Sequence, residues 1–286
     1  MRRWQKSSRF LAVFFGFAWA AAWLVPPPAE KVVFLDVGQG DAILLQDRTR
    51  QILIDGGAGM AVLAALSKEI PWFDRTIEVV ISTHPDRDHL EGLLHVLERY
   101  RVRLVLLPRV SHPSQLYGEW LQKLRPGSAS ELTYRFASRG QRLRAGNVEA
   151  SLLGPGRSAL ALARSGRTNN ASVITRVDLE GLPVLLTGDA ERSAEKILIE
   201  ETSADKLDVI VLKAGHHGSK TSTSAELLAA ATPSLVVISA GAGNSYGHPH
   251  PEVLARLKQV PVWRTDEHGS VRLWRAGSRW LLKTTK

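Results

Sequence analysis

The chain from Lys31 onward reads as a mixed α/β domain, and three observations carry that expectation. Short apolar runs rich in Val, Ile and Leu recur between Gly, Asp and Pro turns, as buried strands do. The first runs are separated by little more than turns, as in hairpins, whereas the later ones alternate with stretches of helical periodicity. A composition of 44% hydrophobic and 23% charged residues supports a packed core, and 286 residues suit one large domain or two small ones.

In chain order, Val32–Leu35 and Ala42–Leu45 are β-rich runs around the turn Gly38-Gln39-Gly40-Asp41. Ile52–Ile54 reads as a third strand closed by Asp55-Gly56-Gly57. Helical periodicity follows over Met60–Ile70, then a short buried strand at Val79–Ser82, a helix over Leu90–Arg99 and a strand at Val102–Leu107. Ser172–Val177, Val184–Thr187, Asp208–Leu212 and Leu235–Ser239 continue the strands. Helices are expected at Glu191–Glu201, Ser224–Ala231 and Pro251–Gln259. No internal repeat or low-complexity tract interrupts this pattern.

Residues 1–30 stand apart as a second unit. A basic start with Arg2, Arg3, Lys6 and Arg9 precedes an uncharged run from Phe10 to Val25, and Pro26-Pro27-Pro28 form a stiff spacer. That is the pattern of a membrane anchor or signal segment, although about 16 apolar residues fall short of the ~20 that span a bilayer comfortably. Bulky Trp23 and the prolines give no sharp cleavage signal, so an anchor, or the last membrane helix of a larger protein, is the preferred reading. Either way the remainder is expected to be membrane-associated on the extracytoplasmic side.

The chain carries a formal net charge of +9 and a pI near 10.0, which favours an acidic partner such as nucleic acid or anionic lipid. Between Arg99 and Arg176 basic side chains far outnumber the acids Glu119, Glu131 and Glu149. A phosphodiester would suit such a surface beside a site acidic enough to bind cations. The absence of cysteine excludes disulfides, thiolate ligands and cysteine nucleophiles.

The strongest chemical signal is Thr83-His84-Pro85-Asp86-Arg87-Asp88-His89, four potential metal ligands directly after a short apolar strand. A strand end followed by an irregular turn can aim several side chains at one point. Two imidazoles with two carboxylates suit Zn²⁺ or Mn²⁺, and the carboxylate share favours the harder ion. Asp189, in Thr187-Gly188-Asp189 after Val184–Leu186, is a candidate carboxylate bridging two ions. Gly215-His216-His217-Gly218-Ser219 and Tyr246-Gly247-His248-Pro249-His250 each supply two histidines in a Gly- or Pro-constrained loop after an apolar strand. His95, His112 and His268 lack such a context and read as structural or surface residues.

Together these motifs resemble the metallo-β-lactamase superfamily, which implies a four-layer αββα sandwich with the ligand loops along one edge of two packed sheets. The family's first motif is His-x-His-x-Asp-His, and here Asp86 stands in place of the second histidine. Its third position is normally a histidine before the strand leading to Gly-Asp. Here the stretch reads Thr168-Asn169-Asn170-Ala171-Ser172, so Asn169, Asn170 or water would complete the first ion. Phe34-Leu35-Asp36-Val37-Gly38-Gln39-Gly40-Asp41-Ala42, Asp55-Gly56-Gly57, Asn169-Asn170-Ala171-Ser172 and both histidine loops are similar to the C-terminal domain of ComEC-type competence proteins. That resemblance covers nearly everything after the prolines. It implies DNA as substrate and the membrane channel of a DNA-uptake machinery as partner; one apolar segment is too little to form that channel.

The resemblance further implies two divalent ions, Mn or Zn. His84 and Asp86 would hold one, Asp88, His89 and His248 the other, and Asp189 would bridge. His216 or His217 falls where nuclease members carry a proton-donating histidine, and either could instead be a ligand. Phosphodiester hydrolysis is therefore the leading expectation, with Asp88 or Asp86 orienting the nucleophile. An exported small-molecule hydrolase acting on a lactam, lactone or thioester is one rival, and would show a closed pocket and little salt dependence. A DNA-binding or channel-gating module that keeps the fold without turnover is another.

Overall fold

The structure is a computed structural model and describes residues 30–125, 132–164 and 166–286. Apart from Glu30, the anchor or signal segment read in residues 1–30 lies outside the described residues. Among the described residues no helix is long and apolar enough to cross a membrane.

Two sheets form the centre. The first contains β1 (Lys31–Phe34), β2 (Ile43–Asp47), β3 (Arg50–Ile54), β4 (Thr76–Ile81), β5 (Arg101–Leu107) and β6 (Thr133–Phe136), with the C-terminal hairpin β14 (Val271–Ala276) and β15 (Arg279–Thr284) beyond β1, in the order β15-β14-β1-β2-β3-β4-β5-β6. The second contains β7 (Arg142–Ala145), β8 (Val148–Leu152), β9 (Thr175–Leu179), β10 (Leu182–Leu186), β11 (Val211–Lys213), β12 (Leu235–Ile238) and β13 (Val262–Arg264), in the order β13-β12-β11-β10-β9-β8-β7. Each sheet joins an antiparallel half to a parallel half, which begins at β3–β4 in the first and at β10–β11 in the second.

Helices α1 (Ala61–Ser67), α2 (Arg87–Arg99) and α3 (Gln115–Lys123) belong to the first sheet's half of the molecule. They are followed by α4 (Arg157–Ala163), α5 (Arg192–Glu201), α6 (Ala204–Leu207), α7 (Ala225–Ala231), α8 (Pro251–Arg256) and α9 (Thr265–His268). The result is the expected αββα sandwich. Val32, Phe34, Ile43, Ile52 and Ile54 meet Val148, Val177, Val184 and Leu186 between the sheets. Val33, Leu44, Leu53 and Val80 face the opposite way, against Leu66, Leu90, Leu93 and Val96. A third cluster packs Leu185, Leu212 and Val236 against Leu198, Leu227 and Val253. Strands buried on both faces must be apolar at successive positions, which is why they read as continuous runs.

The expected elements are present with shifted ends. The main shift concerns α2, which starts at Arg87 rather than Leu90. Asp86 is at its N-cap position and Asp88 and His89 lie in its first turn, so only His84 to Asp86 form an irregular turn. Strands β6, β7, β8, β13, β14 and β15 and helices α3, α4, α6 and α9 are additions to the sequence reading.

Candidate metal centre

The site lies at the C-terminal ends of the parallel strands, where the chain leaves β4 toward His84, β10 toward Asp189, β11 toward His216 and His217, and β12 toward His248. Loops at that edge of a parallel sheet converge from neighbouring strands, so residues distant in sequence meet there. The turn Gly215–Gly218 holds His216 at φ 48° and His217 at φ 54°, left-handed values that non-glycine residues rarely adopt.

Three imidazoles are oriented from behind. His89 donates from Nδ1 to Asp55 Oδ2 at 2.8 Å, and His217 from Nδ1 to the Ser239 carbonyl at 2.9 Å. The Nδ1 of His84 lies 3.0 Å from Thr83 Oγ1, whose hydroxyl donates to Asp55 Oδ2 at 2.6 Å. Partners at Nδ1 fix the ring orientation and turn each Nε2 toward the site, as ligand histidines require. The Nε2 atoms of His89 and His217 lie 3.2 Å apart. Asp189 Oδ1 is 3.3 Å from His89 Nε2, and its Oδ2 is 3.4 Å from His217 Nε2 and 3.9 Å from His84 Nε2. Asp88 Oδ2 is 3.3 Å from His217 Nε2, and Asp86 Oδ2 is 3.7 Å from His84 Nε2.

This donor set fits divalent ions. His84 Nε2 and Asp189 Oδ1 are buried and have no hydrogen-bond partner, an arrangement that is costly unless a cation takes the lone pairs. Asp41, His89, Asp189 and His217 also bring one ligand atom each to within 4.8 Å of one another. Asp41 nevertheless sits on the Nδ1 side of the rings, 3.5 Å from His217 Nδ1 and 3.9 Å from His89 Nδ1, and is ion-paired to the buried Lys213. The Lys213 ammonium also donates to the Gly188 carbonyl at 3.1 Å and lies 3.7 Å from Asp189 Oδ1. Asp41 is thus placed behind the ligands rather than among them.

Charge follows from these contacts. Burial opposes protonation of His89 and His217, but the neighbouring carboxylates, Asp189 foremost, outweigh it and hold both well above the usual imidazole range. Burial, with His89 beside it, pushes His84 down to about 3. Burial also disfavours ionised Asp189 and Asp41, yet His217 and His89 draw Asp189 well below the carboxylate range and Lys213 brings Asp41 to about 2.

His84, Asp88, His89 and Asp189 from the sequence reading therefore come together, with Asp86 at the rim. Of the two residues left open, His217 is buried against Asp88, His89 and Asp189, while His216 is partly exposed with Nε2 3.6 Å from Asp189 Oδ2. His248 stands farther out, its ring 5.6 Å from that of His216 and stacked on Tyr246 at 5.9 Å. Asn169 is half-buried in a 3-10 turn. Asn170 spends its amide on Glu191 at 3.0 Å and Ser193 at 3.1 Å. Sequence reasoning missed Asp41, Asp55 and Lys213, each of which reads as an ordinary turn or strand residue. It also set aside His112, whose Nε2 lies 3.9 Å from Asp86 Oδ1.

The fold and this edge define a class of protein: the chain belongs to the metallo-β-lactamase superfamily, whose family model matches residues 35–241. It is thus a member of a superfamily of metal-dependent hydrolases and carries a His/Asp group able to bind metal. Its relatives are of the ComEC type. ComE operon protein 3 of Bacillus subtilis is 28% identical, the match covering 84% of this chain and 32% of that protein. Recombination protein 2 of Haemophilus influenzae is 34% identical over 86% of this chain and 29% of that protein. Competence protein ComA of Neisseria gonorrhoeae is 27% identical over 86% of this chain and 32% of that protein. The chain thus spans about a third of the length of these relatives. Among solved structures, the metallo-beta-lactamase fold protein YhfI of Bacillus subtilis superposes with a TM-score of 0.57 at 13% identity, over 85% of this chain and 99% of that one. The diiron beta-hydroxylase CmlA of Streptomyces venezuelae does so with a TM-score of 0.53 at 17% identity, over 87% of this chain and 55% of that one. Such identities speak for the fold alone.

Proposed function

We propose that the chain is a nuclease that hydrolyses DNA phosphodiester bonds with two divalent ions, manganese or zinc. The observation that carries the reading is the convergence of three imidazole Nε2 atoms, each oriented through Nδ1, on the one carboxylate of Asp189. His84 and Asp86 would hold one ion and Asp88, His89 and His217 the other, with Asp189 the carboxylate available to both. The ions, when bound, supply Lewis acidity and charge neutralisation at a phosphoryl oxygen. Asp88 orients the attacking water and accepts its proton. His216, partly exposed at the rim, gives a proton to the leaving oxygen. His248, which the family resemblance assigns to the second ion, lies with its ring 5.6 Å from that of His216. Burial, His216 and His217 lower its pKa and favour its neutral form.

The likeness to competence proteins supports DNA as substrate and the channel of a DNA-uptake machinery as partner. Residues 1–29 would tether the domain to the membrane on the extracytoplasmic side. The test is cleavage of labelled single- and double-stranded DNA by the purified 286-residue chain with Mn²⁺, Mg²⁺ or Zn²⁺. Metal-dependent cleavage should be lost in Asp189→Ala. DNA binding without cleavage under any of the metals would refute the nuclease and leave a binding module.

A further inference from the structure

Two adjacent aromatic side chains are left almost bare: Trp72 is 82% and Phe73 66% exposed, their rings edge to face at 5.9 Å. They lie in the loop between α1 and β4. The ligand loop leaves the opposite end of β4, a strand of six residues, so the aromatic pair sits about 20 Å from the metal edge. Large apolar side chains exposed side by side form a contiguous patch of the kind that marks contact with a partner or a lipid phase.

The same end is where the N-terminal segment joins the domain. Lys31 opens β1, and its ammonium is held by the Glu69 carbonyl and by Glu69 Oε2, both at 2.8 Å, three residues before Trp72. Upstream, the apolar run ends at Val25, and the five residues from Pro26 to Glu30 reach no further than about 18 Å even if fully extended. If that run is in a bilayer, this end of the domain is at its surface. Charge agrees with that placement: Lys68, Arg75 and Arg99 are exposed around the loop, and Arg48 is exposed in the β2–β3 turn at the same end. The nearest acid, Asp74, is occupied by the Gln51 amide at 2.9 Å and the Thr76 N–H at 3.2 Å.

We infer that the Trp72-Phe73 loop with its ring of cations is a docking surface for an anionic lipid bilayer. It seats the domain on the membrane with the metal edge facing away. Aromatic side chains favour the headgroup–acyl boundary, and cations beside them favour anionic headgroups. The inference rests on the membrane tether proposed above only for placing this end of the domain at the bilayer, and it is independent of the catalytic reading.

The natural chain has no cysteine, so single cysteines can be spin-labelled without background. The chain is placed in nanodiscs of equal parts phosphatidylglycerol and phosphatidylcholine, labelled in turn at Phe73→Cys (which keeps Trp72), Tyr246→Cys at the metal edge and Ala18→Cys in the apolar run. Collisions with oxygen should exceed those with a water-soluble nickel chelate at 73 and at 18, and the order should reverse at 246. The label at 73 should become shallower when the phosphatidylglycerol is removed. A water-like signal at 73 with a lipid-like one at 18 overturns the inference and leaves the tether standing. A label at 73 shielded from both reagents also overturns it, because a protein surface then covers the loop. Water-like signals at both 73 and 18 overturn inference and tether together. A lipid-like signal at 73 with a water-like one at 18 upholds the docking and overturns the tether.

Discussion

At the scale of single residues, the site holds its charge in a pattern that makes metal loading a proton-exchange reaction. Asp189 and the neighbouring carboxylates hold the pKa values of His89 and His217 up. Their Nε2 atoms face each other 3.2 Å apart, so in the metal-free protein one proton is held between them, donated by one ring and accepted by the other. His84 stays neutral. Loading at neutral pH should therefore release at least about one proton per protein, read by titration calorimetry in buffers of different ionisation enthalpy. Metal affinity should fall as pH drops. The metal-free protein has the opposite dependence: raised imidazole pKa values contribute stability that is full below the ordinary value near 6.5 and is lost as pH rises through the elevated ones. An unchanged apparent enthalpy across buffers would refute this charge assignment.

Lys213 is the second residue with a sharp expectation. Burial opposes its charge, but Asp41 and Asp189 raise its pKa, so the ammonium persists fully buried. Removing one partner of such a pair leaves the other buried and uncompensated. Lys213→Met should cost about 3–5 kcal/mol in urea unfolding, and the double variant with Asp41→Asn should recover part of that loss. If the single variant unfolds like the natural protein, the pair has no such role. These two residues also mark where reading the site from sequence stops. His84, Asp86, Asp88 and His89 are legible because they fall within six residues after a strand. Asp41, Asp55 and Lys213 come from three separate elements, and their function exists only once β2, β3 and β11 have assembled around α2.

At the scale of elements, α2 does more than bury an apolar face, because its first turn carries Asp88 and His89. Its position is set by a close approach to the turn after β3. A Cβ on Gly92 would meet the Gly56 carbonyl oxygen at 1.9 Å, and one on Gly56 would meet the Leu93 nitrogen at 2.5 Å. Gly56 N–H donates to the His89 carbonyl at 2.8 Å and Gly92 N–H to the Gly57 carbonyl at 3.0 Å. The same contact thus fixes His89 over Asp55. Gly92→Ala should push the helix outward, cost about 1–3 kcal/mol, and weaken metal binding along with stability. Loss of stability with unchanged metal affinity would separate the helix position from the site. The stretches buried on both faces, Val32–Phe34 in β1, Val79–Ile81 in β4 and Val184–Leu186 in β10, are plain in the sequence as unbroken apolar runs. Strands β7 and β8 are not, because only one of their faces is buried. Leu143 and Ala145, then Val148, Ala150 and Leu152, point to the core, while Arg142, Arg144, Glu149 and Ser151 alternate with them on the outer face. A short alternating run full of arginine resembles a solvated loop until its partner strands are known.

At the scale of the whole molecule, that outer face decides how a basic chain can serve an acidic metal site. Helices pack outside β10 to β12, whereas the outer surface of β7 to β9 remains an open groove lined by Arg142, Arg144, Arg176 and Lys206, with Glu149 and Asp178 among them. Arg176 is spent on the carbonyls of Lys206, at 3.0 Å, and Asp208, at 2.6 Å. Arg144 donates to the Gly146 carbonyl at 3.0 Å and lies 3.9 Å from Glu149, but it is exposed beside Arg142, so both guanidinium groups can reach a phosphate on this face. The register places Arg142 beside Ser151, at the end of β8 that pairs with the start of β9 and so lies toward Asp189. A phosphate backbone crossing this face would approach the ligand edge without its bases being read, since guanidinium contacts to phosphate carry no sequence information. DNA affinity should then fall linearly on a log–log plot against salt. Arg142→Gln with Arg144→Gln should weaken binding about equally for unrelated sequences and reduce the slope by about one to two. A small-molecule hydrolase would show neither effect, and a slope unchanged by the double substitution would move the DNA track to another face of the sandwich.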